Sequence, residues 1–332
     1  MTQAPGKRVH IDPHVHCRDW DLAYKATIKS VMDIAKSQGV VAIGDMPNTS
    51  PAITTEELVN KRLQTAMDEG CIDGYYLYIG VTSNPAQIRE AVDVIDRNPK
   101  VLGMKFQTGR SVGQLQISTE EGQRMVHKTL AEIGYTGVVA MHCEKESMYK
   151  EELWDPQRPY TWNSARPPQS EVESVSDQIS FAKEYGLKAH LHVCHISVPE
   201  SVMLVDRARG SIRISCGATP HHLALSTEDM QNPEDVVYKV NPPIRDPKDV
   251  IGLRMLLKQG KIDIIETDHA PHSPQEKEYS KDKPKDSYMS GIQSLNSYSS
   301  FIESLLDDGF SEDQIKLLTY DNVKKIFTKI KE

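Results

Sequence analysis

The chain has 332 residues, enough for one large α/β domain or two smaller ones, and its 38% apolar content can bury a substantial core. A formal charge of −8 argues against a general nucleic-acid binder, so an anionic small molecule would need a local basic pocket. The five cysteines (Cys17, Cys71, Cys143, Cys194 and Cys216) include no CxxC pair and suggest neither a disulfide framework nor a thiolate zinc knot.

The opening stretch, 1–9, is short and polar and does not read as a signal peptide; no apolar run approaches membrane-spanning length, so the cytoplasm is the expected compartment. Short β-type runs alternate with longer amphipathic segments. A strand is expected over 8–16 and a helix over 23–38, stopped by Gly39; a second strand over 40–45 leads to a helix over 55–69, with Thr54 or Thr55 as its cap. A strand over 74–82 precedes a helix over 85–97, with Pro85 at its start. The fourth strand spans 101–106 and its helix 119–133, and the fifth strand spans 138–142. A long polar loop, 144–169, leads to a helix over 171–185, a strand over 187–195, a helix over 199–209 and a strand over 212–216. The excursion 218–259 holds a helix over 247–258, the eighth strand spans 261–267, and helices over 290–308 and 311–329 close the chain. The lysine-rich stretch 276–285 reads as a solvated, mobile loop, with a functional lid as the alternative.

Eight strands alternating with helices predict a parallel sheet covered by helices, and eight is the number that closes a (β/α)8 TIM barrel. A doubly wound open sheet is the runner-up, but no glycine-rich dinucleotide loop follows the first strand. With no repeat, low-complexity tract or linker, 1–332 is expected to be a single catalytic domain, the helices of about 290–330 packing on the barrel.

Chemistry concentrates at the carboxyl ends of the expected strands, where barrel enzymes build their sites. Strand alternation places His14 and His16 on one face, able to share a metal ion, with Arg18 on the same side as a planar fork for a carboxylate. An isolated HxH fits a strand end beside solvent equally well. Its company is Asn48 after the second strand, Lys105 on the fourth, His142 on the fifth, His190, His192 and His195 on the sixth, and Asp268, His269 and His272 after the eighth. Imidazoles with a carboxylate favour zinc or a similar divalent ion. Lys105 either pairs with Asp268 or is carbamylated into a metal-bridging carboxylate. Alternation puts His190 and His192 on one face and His195 on the other; His195, at the strand end, is the favoured ligand and His192 the fallback. Asp268 suits a ligand that also shuttles a proton. His272 belongs to the following loop, reaching for substrate; His269 sits behind the ligands, and His221 and His222 shape a turn.

The segments Asp12-Pro13-His14-Val15-His16-Cys17-Arg18-Asp19, Asp45-Met46-Pro47-Asn48-Thr49, Gly103-Met104-Lys105, His192-Val193-Cys194-His195-Ile196-Ser197, Thr219-Pro220-His221-His222-Leu223, Asn241-Pro242-Pro243-Ile244-Arg245 and Thr267-Asp268-His269-Ala270-Pro271-His272 occur in that order. Together, from about residue 8 to 275, they resemble the dihydroorotase family of the amidohydrolase superfamily. The resemblance implies two zinc ions bridged by a carbamylated Lys105 and a hydroxide. His14, His16 and Asp268 would hold the more buried ion, and His142 and His195 the more exposed one. It further implies that Arg18, Asn48 and His272 hold a substrate carboxylate, and that Asn241 and the main chain around His222 contact the ring. The implied reaction is reversible cyclisation of N-carbamoyl-L-aspartate to L-dihydroorotate, with Asp268 as the catalytic proton carrier. A homodimer and association with aspartate transcarbamoylase are compatible with this reading; nucleic acid and membrane partners are not expected. Alternatives are a hydantoinase or allantoinase, or an inactive scaffold subunit for aspartate transcarbamoylase. Three departures stand out. The small β-sandwich of many relatives is expected to be absent, the segment Ser290-Gly291-Ile292-Gln293-Ser294-Leu295 lacks a proline-glycine pair, and Glu266 replaces an expected small residue and would need a partner if it faces inward.

Overall fold

A computed structural model describes residues 8–111 and 115–331. Strands β1 (His10–Val15), β2 (Val40–Asp45), β3 (Tyr75–Gly80), β4 (Val101–Gln107), β5 (Val138–His142), β6 (His190–Val193), β7 (Ile214–Ala218) and β8 (Ile264–Ile265) form one eight-stranded sheet in sequential order, every neighbouring pair parallel. The β4–β5 ladder runs unbroken from Gly103↔Val138 to Gln107↔His142. Closure is achieved beyond the short β8: Val15 bridges His269, the His16 amide donates to the His269 carbonyl at 2.8 Å, and the Asp12 carboxylate accepts the Thr267 amide and hydroxyl. This is the expected α/β barrel, and the described residues contain no second sheet. No helix among them is long and apolar enough to cross a membrane.

Both faces of the strands are buried, as a helix-covered parallel sheet requires. Outward-facing residues such as Ile43, Leu77, Ile79, Met104 and Val139 join the helices in one core. Ile11, Tyr78, Ala140 and Ile264 fill the interior together with Val323, Ile326 and Phe327, so the last helical segment plugs the barrel. The expected 311–329 helix is realised as Glu312–Lys316, a π-helical turn Leu317–Asp321, and Asn322–Ile326.

Local chemistry explains the well-matched elements. Pro85–Arg97 starts where Asn84 Oδ1 accepts the Ala86 amide at 2.9 Å, and Ile88, Ala91, Val92 and Ile95 form its buried stripe. The first helix is shorter than expected, Ile28–Ser37, because Thr27 and Ser30 form a capping box at its start. The expected 290–308 helix begins only at Tyr298, after a 3-10 turn at Ser294–Ser297. Strands six and eight are curtailed to four and two residues because the backbone turns into the left-handed region at His195 (φ 40°) and Asp268 (φ 47°). The lysine-rich stretch is anchored at its start. Glu276 pairs with Lys25 at 2.8 Å, and the buried Lys277 ammonium donates to the Lys239 and Met289 carbonyls.

Candidate active site

At the carboxyl ends of the strands lies a pocket walled by His14, His16, Arg18, Asn48, Lys105, His142, His195, Asn241 and Asp268. Residues as far apart in sequence as His14 and Asp268 meet here because adjacent parallel strands bring their carboxyl ends to one rim. His14 on β1 and His16 just past its end both enter the pocket, with ring centroids 5.5 Å apart. The Asn48 Oδ1 lies 2.6 Å from His16 Nδ1, so that nitrogen carries the proton and donates. His16 Nε2 faces Asp268 Oδ1 at 2.9 Å, and His14 Nε2 approaches the same oxygen at 3.2 Å.

Arg18 departs from the alternation argument. The strand ends at Val15, and Arg18, Asp19 and Trp20 all take positive φ, so a turn brings the guanidinium to the pocket. Its Nε donates to the Pro271 carbonyl at 2.9 Å and its Nη2 to His272 Nε2 at 3.1 Å. His272 therefore stands behind Arg18, its Nδ1 3.2 Å from Glu276, and is not in the pocket wall. His222 is also outside the wall. It bonds Thr219 Oγ1 and the Pro242 carbonyl, next to Asn241, which does line it.

The parity conflict among the β6 histidines is resolved by the turn at His195. His192 points inward from the strand, beneath the pocket, with Nδ1 2.9 Å from Ser215 Oγ; the φ of 40° swings His195 inward as well, at the rim. His190 also bonds Ser215. His142 Nδ1 lies 3.3 Å from His195 Nε2, while its Nε2 lies 2.9 Å from Glu144, which is clamped by Arg166 at 2.6 and 3.0 Å. Arg245, from the Asn241-to-Arg245 motif, ties Ser197 to the Arg166 carbonyl. Lys105 is buried in the pocket wall, and among the described residues no carboxylate lies within 4.0 Å of its amine, so the ion pair with Asp268 is not formed.

Burial drives His16 down to about 4 and lowers His142 and His195, leaving neutral imidazoles of the kind that bind metal. Burial opposes ionisation of Asp268, but His14 and His16 outweigh it and hold the carboxyl well below its ordinary range. His14 moves the other way. Burial and Lys105 disfavour its charged form, yet the carboxylates of Glu266 and Asp268 favour it and hold the ring above the usual range. The donor set fits a divalent ion. Ligand atoms of His14, His16 and Asp268 lie within 4.8 Å of one another, and both His14 ring nitrogens are buried without an aligned hydrogen bond among the described residues. Two nitrogens about 2.0–2.1 Å from a tetrahedral zinc stand roughly 3.3 Å apart, which matches the 3.3 Å between His142 and His195.

No family model matches the chain. Curated proteins named dihydroorotase do. That of Brevibacillus brevis is 33% identical over 276 residues, 80% of this chain and 61% of its own length. That of Pyrobaculum aerophilum is 31% identical over 271 residues, 80% of this chain and 60% of its own. That of Lactobacillus delbrueckii subsp. bulgaricus is 29% identical over 285 residues, with 84% and 64% covered. Over about four fifths of its length the chain is thus similar to curated dihydroorotases. It spans 60–64% of the length of these three proteins. Among solved structures, an L-hydantoinase (dihydropyrimidinase) from Arthrobacter aurescens matches with a TM-score of 0.82 at 22% identity, covering 96% of this chain and 70% of that one. A dihydroorotase from Campylobacter jejuni matches with a TM-score of 0.72 at 15% identity, covering 98% and 84%. At these identities the likeness to the solved hydantoinase and dihydroorotase shows the shared barrel alone.

Beyond the dihydroorotase-like segments, the pocket recruits Gln107, Ser111, Ser290 and Gly291. Gly291 adopts φ 156°, and a Cβ there would lie 2.6 Å from the Ala270 carbonyl, so the wall needs glycine at this point. That glycine was the one sequence signal for this loop. The Glu144–Arg166 clamp had none, its members being 22 residues apart in a polar stretch.

Proposed function

We propose that this chain is a zinc-dependent cyclic amidohydrolase that interconverts N-carbamoyl-L-aspartate and L-dihydroorotate in cytoplasmic pyrimidine biosynthesis. The observation that carries the reading is the convergence of His14, His16, Lys105, His142, His195 and Asp268 on one pocket that also presents the buried Arg18 guanidinium. His14, His16 and Asp268 would hold one ion and His142 with His195 a second. Lys105, a buried amine with no carboxylate within 4.0 Å among the described residues, would be carbamylated and help hold the ions. Bound there, the ions supply Lewis acidity that activates water and polarises a carbonyl at neutral pH.

The residues of the chain supply the rest. Asp268, kept ionised among imidazoles, accepts a proton in the hydrolytic direction and returns it to the departing ring nitrogen. Arg18, its Nε and Nη2 fixed by Pro271 and His272, pairs with the substrate carboxylate in a preset orientation. Asn48 holds the His16 ring, and Asn241 faces the ring of the substrate.

The barrel shared with a hydantoinase is compatible with a second reading, hydrolysis of an uncharged ring. Arg18 favours the first, because a buried guanidinium in the wall has its natural partner in a carboxylate. Zinc-loaded protein assayed side by side on dihydroorotate, hydantoin, dihydrouracil and allantoin is expected to turn over dihydroorotate fastest. Preference for any carboxylate-free ring would refute the assignment.

A further inference from the structure

Glu266 follows β8 where the dihydroorotase-like pattern leads one to expect a small residue. Its side chain is 1% exposed and enters the barrel directly beneath the pocket. Space for it is built into the neighbouring strand: a Cβ on Gly217 would lie 2.4 Å from Glu266 Oε1. The carboxylate is not stranded. Oε1 accepts the His195 backbone amide at 2.6 Å, and Oε2 lies 3.3 Å from His14 Nδ1 and 3.4 Å from His192 Nε2. His192 is fixed in turn by Ser215.

We infer that Glu266 is a positioning residue for the metal centre, holding His14 and His195 from below. This rests on the function proposed above, in which those two histidines serve different ions. Glu266 and Asp268 lie at opposite nitrogens of the His14 ring, 3.3 and 3.2 Å away, so the lower carboxylate faces Nδ1 and Nε2 is left for the pocket. At His195 the same carboxylate acts on the backbone. It satisfies the amide at the left-handed turn that swings the imidazole inward, a conformation a non-glycine residue keeps only when its surroundings impose it. One side chain thus couples the ligand sets of β1 and the β6 end, and Gly217 is the complementary residue that admits it.

The test uses the full chain and Glu266→Ala, Glu266→Gln and Gly217→Ala variants, each checked for folding by circular dichroism. Zinc affinity is read by competition with a chromogenic chelator, and ligand geometry from the visible spectrum of the cobalt(II)-substituted protein. Glu266→Ala is expected to weaken zinc binding about 10–100-fold. Glu266→Gln, which keeps an acceptor for the His195 amide, should lose less but still alter the cobalt spectrum. Gly217→Ala, which crowds the carboxylate and leaves every ligand in place, should move affinity in the same direction. Folded Glu266→Gln and Gly217→Ala proteins with wild-type zinc affinity and an unchanged cobalt spectrum would overturn the inference, whether or not Glu266→Ala folds. A wild-type protein that takes up no zinc would instead sink the underlying reading of the site.

Discussion

Arg62 sits at the root of the β1 end of the site, and its removal has a calculable consequence. Its guanidinium is fully buried, donating from Nε at 3.0 Å and Nη2 at 2.7 Å to Asp45 Oδ2. The Tyr75 hydroxyl donates to the same oxygen at 2.6 Å, and Asp45 Oδ1 accepts the Cys17 amide at 2.9 Å, between His16 and Arg18. Arg62→Met keeps most of the side-chain volume but leaves a buried carboxylate with only two neutral donors. Breaking one side of a buried pair typically costs about 3–5 kcal/mol. With roughly 2.1 cal/mol/K of unfolding entropy per residue, a chain of 332 residues changes Tm by ~1.4 °C per kcal/mol, so a fall of about 4–7 °C is expected in calorimetry. Adding Asp45→Asn removes the stranded charge, its amide oxygen accepting from the Cys17 amide and its NH2 donating to the Tyr75 hydroxyl, and should recover more than half of the loss. A single-variant fall below about 1 °C, or a double variant no better than the single, would refute the reasoning.

Three further outcomes are expected. Arg18→Lys should raise KM for dihydroorotate with little change in kcat, because a point charge cannot reproduce the oriented fork; unchanged KM in steady-state assays would remove Arg18 as the carboxylate clamp. Glu144→Gln should weaken zinc binding about 10–100-fold by releasing the outer nitrogen of His142, and chelator competition showing full affinity would count against it. Lys239, its ammonium bonded to the Tyr288 carbonyl and 4.2 Å from the Trp162 ring centre, is pushed by burial, with Arg166 adding to the effect, from 10.5 to about 7. Between those values the unfolded chain binds more protons, so Lys239 makes stability rise with pH across that window, by on the order of a few kcal/mol. Urea midpoints from pH 6.5 to 10 should show a flatter profile in Lys239→Met, whereas profiles that run parallel would exclude the effect.

The alternation of strand and helix was legible because local signals agree with the tertiary fold. Val40–Asp45, Val138–His142, Pro85–Arg97 and Pro247–Lys258 run where the apolar periods and prolines place them. The gathering of His14, Lys105, His142 and Asp268 was legible for the same reason, since a parallel barrel delivers every strand to one rim. Contacts between distant loops left no local trace. Nothing around Glu144 foretells Arg166, and nothing around Glu266 names His14, His192 and the His195 amide as its three partners.

Alternation failed at the residues that matter most to the pocket, and the failure has a physical basis. The non-glycine residues with positive φ among those described are Arg18, Asp19, Trp20, His195 and Asp268. All follow strands at the pocket end of the barrel, and three line the pocket. Each such conformation costs on the order of 1–3 kcal/mol and persists only where its surroundings over-determine it. Those surroundings are present. Asp19 accepts the Ile28 amide, Glu266 accepts the His195 amide, and Asp268 is gripped by His14 and His16. A strand that kept its period would carry His195 away from His142 and could not hold both imidazoles 3.3 Å apart. The strained turns that defeat a period-two reading are therefore the same turns that assemble the candidate centre.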